Sequence, residues 1–169
     1  GFAIGPSTVD PRTGEILNAQ IAIPEGWSRT HRTFIAEQSP SAWPAVDAHK
    51  ASLGPDGSHC SYAAEALAEM QFGLELLAER GEIDPGSPEA DAFVNAALKA
   101  VVMHEVGHTL GLRHNFRAST VYPLTKLADP AWTRDHGIAG SVMDYTPINI
   151  AANSEAQGAY FEPTIGPYD

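Results

Sequence analysis

Residues 104–114 read HEVGHTLGLRH, three histidines and a glutamate within eleven residues. His104 and His108 are four apart in a strongly apolar stretch, so on a helix both imidazoles leave the same face, one turn apart. That spacing lets two nitrogens reach one ion at about 2.0–2.1 Å, the usual zinc–nitrogen distance. Glu105 is one step round from His104, too close in sequence to chelate the same ion comfortably, but able to reach a water bound to it. His114 would face elsewhere if the helix continued. Gly111 resolves this: without a Cβ it takes a left-handed conformation, stops the helix and turns the chain back, so that His114 approaches from a second direction. Three protein ligands leave a fourth position for water, the arrangement of a catalytic rather than a structural zinc. A bare HExxH also arises on helices that bind nothing, but H-E-x-x-H-x-x-G-x-x-H fixes five positions.

The elements around the motif follow from periodicity. A helix is expected to begin after Ser87 as N-cap, with Pro88 in the first turn and Glu89 and Asp91 at the positive end of its dipole, and to run to Gly111. An earlier helix is expected over 61–80, where Ala63, Leu67, Met70, Leu74 and Leu77 fall at three- and four-residue steps and Gly81 stands as the cap. Residues 1–10 and 15–23 read as two strands of a hairpin. DPRTG between them supplies a proline for the bend and Gly14 for a positive φ. Leu17, Ala19, Ile21 and Ile23 alternate with Asn18, Gln20 and Ala22, the period of a half-buried strand. Between 24 and 58 little regular structure is expected beyond a short strand or helix around 30–37. Residues 115–140 read as a long irregular segment, and 146–169 as rich in Pro, Gly and Asn.

With 169 residues the chain is long enough for one hydrophobic core, and one domain over 1–169 is expected. Apolar residues make up 43% and charged residues 18%, the balance of a globular protein. The formal net charge of −11 argues against a nucleic-acid partner and against docking on anionic lipid. No apolar run approaches a membrane span. No signal-peptide pattern opens the chain, so a removed leader or a longer parent chain is expected. Cys60 is the single cysteine, which excludes an internal disulfide and any cysteine-cluster metal site.

Downstream, SVMDY at 141–145 follows the histidine motif. With it the chain resembles the metzincins, the zinc endopeptidase clan that includes astacins, serralysins and matrixins. The resemblance implies that Met143 sits in a tight turn as an apolar floor beneath the three histidines, and that Tyr145 approaches the zinc and stabilises a tetrahedral intermediate. DPRTGEIL, VVMHEVGHTLGLRHNFRAS, GSVMDYTPINIA and TIGPYD are together similar to a bacterial family of large, exported zinc-dependent metzincin-like proteases long known only as domains of unknown function. The similarity touches most of the chain, with 24–60 contributing least. It implies an α+β, zincin-like catalytic domain with a small sheet or hairpin, a long active-site helix and a methionine turn. The domain is expected to be a trimmed piece of a longer extracellular or periplasmic polypeptide.

The chemistry so implied uses one catalytic zinc ion, held by His104, His108 and His114, that lowers the pKa of its water and polarises the scissile carbonyl. Glu105 is the general base and Tyr145 the donor to the oxyanion, with Gly111 and Met143 in support. The substrate is a peptide or protein, and the strand at 15–23 is an edge to which an extended peptide can add. Two other functions stay open: a zinc-binding or scaffolding module without turnover, and an amidase acting on cell-wall peptide. Retention of Glu105 argues against the module. His31, His49, His59 and His136 are expected to be surface or loop histidines. Asp129 and Asp135 are the candidates for calcium, although solvated loop acids are the plainer expectation. Asn115 is expected to order the turn after the third histidine through its side chain, and Asp144 to brace the methionine turn. Cys60 is a thiol able in principle to block the zinc, in no recognisable inhibitory motif.

Overall fold

The computed structural model describes residues 7–23, 60–152 and 156–169. The first strand's opening residues, the whole of 24–58, and His31, His49 and His59 therefore lie outside the described residues. Chain order is β1 (Ser7–Val9), β2 (Ile16–Ala19), α1 (Tyr62–Glu79), α2 (Pro88–Thr109), a 3-10 turn at Ala118–Thr120, α3 (Leu124–Leu127) and α4 (Pro130–His136).

β1 and β2 pair antiparallel as Ser7↔Ala19, Thr8↔Asn18 and Val9↔Ile16, with an irregularity between Thr8 and Val9. The turn works as its residues dictate: Gly14 has φ +75° and its N–H reaches the Asp10 carbonyl at 2.8 Å. The expected half-buried face is not found, because all four residues of β2 are exposed. Alternation marks an apolar face; it does not supply an element to cover it.

α1 and α2 form the core. Leu67, Met70, Leu74 and Leu77 on α1 cluster with Phe93, Val94, Ala97 and Val101 on α2, and Phe161 joins them from the C-terminal segment. α2 starts as its sequence requires: the Ser87 hydroxyl accepts from the Ala90 N–H, with Pro88 in the first turn. Its end is a paired reversal at Gly111, which has φ +89°. The Gly111 N–H bonds the His108 carbonyl at 3.0 Å and the Leu112 N–H bonds the Gly107 carbonyl at 2.9 Å, so the last carbonyls are satisfied as the chain turns back.

The segment 115–140 is more regular than its composition suggests. Asp129 caps α4 by accepting from the Ala131 and Trp132 N–H groups, Pro130 opens it, and Gly137 at φ +82° ends it. After Tyr145 the described chain holds no helix and instead straps across the helix pair. Ile148 packs on Gly73 so closely that a Cβ there would collide with it. The Asn149 N–H bonds the Tyr160 carbonyl at 2.9 Å, and Lys99 Nζ donates to the Pro163 carbonyl at 2.7 Å. Among the described residues no helix is long and apolar enough to cross a membrane.

Candidate metal centre

His104 and Glu105 lie on the last two turns of α2 and are fully buried, at 0% and 1% exposure. The backbone fixes the tautomers of two histidines. A carbonyl can only accept, so His104 Nδ1–H donates to the Val142 carbonyl at 2.8 Å and His108 Nδ1–H to the Leu112 carbonyl at 3.1 Å. Nε2 is then the nitrogen that each ring has left to offer a metal. His114, returned by the Gly111 reversal, brings its Nε2 to 3.1 Å from that of His108. Burial is the main reason His104 resists protonation, its pKa driven down to about 3 with help from the other two imidazoles. His114 is shifted down for the same reason.

The turn at 141–145 closes the far side. The Met143 N–H donates to Ser141 Oγ at 3.0 Å, the Asp144 N–H reaches the Ser141 carbonyl at 3.4 Å, and the Asn115 N–H holds the Met143 carbonyl at 3.0 Å. Met143 is buried at 1% exposure and rests against Gly107, between the two helical histidines; a Cβ on Gly107 would collide with its Sδ. Asp144 accepts the Ser119 N–H at 2.6 Å, tying the turn to the loop after the third histidine. Asn115 does order this region, but through its backbone rather than its side chain.

Tyr145 stands at the site. Its hydroxyl lies 3.3 Å from His114 Nε2 and 3.3 Å from Cys60 Sγ, and it accepts from the Ser61 N–H at 3.1 Å. Burial holds its pKa well above the usual phenol value, so it is a proton donor throughout the neutral range. Burial likewise pushes the Glu105 carboxyl up to about 7, where a general base is best matched to neutral operation. Beside Tyr145 a groove of about 220 Å³ opens between Tyr62, Glu65, Glu69 and Pro147.

Among the described residues, the group of His, Cys, Asp or Glu side chains close enough to share an ion is Cys60, His104, His108 and His114, with ligand atoms all within 4.8 Å of one another. The three histidines named by their spacing are therefore assembled, and Cys60 joins them. His104 and His108 join this group with their Nδ1 atoms anchored by backbone carbonyls, so the donor set fits a zinc ion. Asp129 is used as a helix cap and Asp135 pairs with Arg134 at 2.8 Å, and among the described residues the two form no shared cluster for calcium. His136 stacks on Trp132, away from the centre.

Three contributors were not anticipated. Tyr62 stacks on the His104 ring, centroids 4.3 Å apart. Asp169 accepts from the Ser141 hydroxyl, from the Val142 N–H at 2.9 Å and from the Gly166 N–H at 2.8 Å, holding the segment whose carbonyl orients His104. Gly107 admits Met143. The glycine within HEVGH is a visible signal for this close approach, whereas nothing local to TIGPYD signals that its aspartate reaches the methionine turn.

A helix bearing two histidines, a glycine reversal that returns a third, and a methionine turn packed beneath them define a zincin of the metzincin type. Residues 86–169 match the family model described as Met-zincin, and through this half the chain belongs to that metzincin-clan zinc metalloprotease family. No curated protein and no solved structure matches the chain.

Proposed function

We propose that the protein is a zinc endopeptidase. The observation that carries this reading is the buried Glu105 carboxyl beside three converging imidazoles, a base next to a metal site rather than a metal site alone. Bound to His104, His108 and His114, zinc would supply a Lewis acid for the scissile carbonyl and a water of lowered pKa. Glu105 is the group that would hold the proton released by the attacking water and pass it to the leaving amine. Tyr145 donates its hydroxyl hydrogen to the oxyanion as charge develops there. Met143 and Gly107 keep the floor dry and the two helical imidazoles in register, and Gly111 sets the approach of His114.

The substrate is an extended peptide or protein segment. The outer edge of β2 is unpaired among the described residues, which supports strand addition there. The net charge of −11 supports no nucleic-acid partner. By the family likeness we place the protein outside the cytoplasm, extracellular or periplasmic, as one catalytic domain over 1–169 within a longer chain.

One observation favours a second reading, a zinc-binding module of weak or no turnover: a thiol, Cys60, stands where a water would be needed. An amidase on cell-wall peptide shares the same chemistry and differs only in substrate. The test is cleavage of an unstructured protein by zinc-loaded wild-type and Cys60→Ala proteins, each with and without Glu105→Gln. Cleavage that depends on Glu105, falling by about 10²–10⁴-fold on substitution, is expected in at least one background. Stoichiometric zinc with no Glu105-dependent cleavage in either would leave the binding module as the function.

A further inference from the structure

Cys60 stands 44 residues before His104 in sequence, at the head of α1. Its position is set by its neighbours: the Ser61 N–H is bonded to the Tyr145 hydroxyl at 3.1 Å, and Tyr62 is buried against the His104 ring. Cys60 Sγ lies 3.5 Å from His104 Nε2, 3.3 Å from the Tyr145 hydroxyl and 3.9 Å from Glu105 Oε1. An inert buried thiol is ringed by apolar groups; this one faces an imidazole lone pair, a phenol and a carboxylate.

Two separations within the group, whose ligand atoms all lie within 4.8 Å of one another, are close to those of a coordination sphere. A tetrahedron with zinc–nitrogen bonds of about 2.0–2.1 Å and a zinc–sulfur bond of about 2.3 Å separates its nitrogens by about 3.3–3.4 Å, and nitrogen from sulfur by about 3.5–3.6 Å. Here the corresponding separations are 3.1 Å between His108 and His114 and 3.5 Å between His104 and Cys60. His104 is fully buried and meets the sulfur through Nε2, the nitrogen left over once Nδ1 is bonded to the Val142 carbonyl.

We propose that Cys60 is the fourth ligand of the resting metal centre and a releasable latch on the position that water must take. This rests on the zinc-peptidase reading and adds its control. On ligation a metal–sulfur bond forms and the S–H bond breaks, its proton passing to the Glu105 carboxylate, the oxygen to which the thiol is already directed. The latched state thus excludes water and occupies the base with a proton. Release reverses both: the sulfur takes a proton back, the fourth position opens, and Glu105 is again free to accept. Because Cys60 lies at the start of a core helix, opening needs movement of one side chain at a helix end and not the unfolding of α1.

The test replaces zinc by cobalt(II) in the full chain. Wild-type protein is expected to show the near-ultraviolet thiolate-to-cobalt charge-transfer band, with cobalt content confirmed by metal analysis. Cys60→Ala is expected to lose the band, to keep its cobalt, and when zinc-loaded to cleave faster than wild type. In the wild type the Cys60 thiol is expected to react with an aromatic disulfide reagent only after chelation. Bound cobalt without the band overturns Cys60 ligation and leaves the peptidase reading standing. A wild type that binds no cobalt overturns both. A Cys60→Ala protein that cannot hold cobalt overturns the latch, since the sulfur would then be an obligatory ligand.

Discussion

Met143 lies against Gly107 with no room for a methyl group between them, so the methionine turn touches the active helix at a residue between His104 and His108. Elsewhere in a helix, glycine to alanine stabilises by about 1 kcal/mol. At Gly107 the sign reverses, because the Sδ that must be displaced belongs to a side chain only 1% exposed. Gly107→Ala is expected to destabilise by about 1–3 kcal/mol, the range for overpacking. In a Met143→Ala background, itself costing about 2–5 kcal/mol, the same substitution should become neutral or stabilising. Urea unfolding of the four proteins in the cycle measures this, and additive effects would show that the contact carries no energy.

Asp169 reaches His104 at two removes. It holds the Val142 N–H, and the Val142 carbonyl holds His104 Nδ1. Asp169→Ala leaves the Ser141 hydroxyl and two backbone N–H groups without their acceptor, so the carbonyl that fixes the His104 tautomer loses its support. Zinc affinity is expected to fall roughly 10–100-fold, the range for outer-sphere partners of ligating histidines. Competition against a chromophoric chelator reads it. An unchanged affinity would mean that Asn115 and Asp144 hold the turn unaided.

Zinc binding should also appear as stability, because the three histidines converge only in the folded chain. At free zinc a thousandfold above its dissociation constant the gain is about 4 kcal/mol. Thermal unfolding with zinc and with chelator should differ accordingly for the wild type and hardly at all for His108→Ala. Equal shifts in both would place the ion elsewhere.

The parts of this architecture that were legible in sequence are those with local punctuation. Ser87 with Pro88 and Gly111 mark both ends of α2, and its histidine spacing gives the face that binds. α4 carries the same punctuation, Asp129 with Pro130 and then Gly137, yet its seven residues are too few to show a periodic apolar face, and it read as irregular. The hairpin's alternation was visible, but burial depends on a covering element that no local pattern encodes. The positions of Cys60 and Asp169 at the centre were illegible for a different reason. Each reaches the centre across long sequence separation, Cys60 because α1 packs on α2 and Asp169 because the C-terminal strap folds back on the methionine turn. Residue type alone marks a free thiol and one carboxylate among many; only packing makes them neighbours of the histidine cluster and its turn.

Glu162 offers a pH-dependent test of that strap. It is 3% exposed, accepts from the Ile138 and Ala139 N–H groups at 3.1 and 2.8 Å, and its Oε1 has no hydrogen-bond partner against Gly137. Burial outweighs the backbone bonds and pushes the carboxyl up to about 7 from 4.5. Between those values the folded chain keeps a proton that the unfolded chain has lost, so this group's contribution is full below about pH 4.5 and declines as pH rises to about 7. The whole loss is on the order of 3 kcal/mol. His104, with its depressed pKa, contributes a slope of the opposite sign, and a comparison at one position separates the two. Urea midpoints of the wild type and Glu162→Gln across pH 5 to 8, both with zinc chelated, should therefore differ by an amount that grows in favour of the variant as pH rises and levels off above the carboxyl's pKa. A difference independent of pH would mean that Glu162 ionises normally and that the strap over Gly137 opens to water.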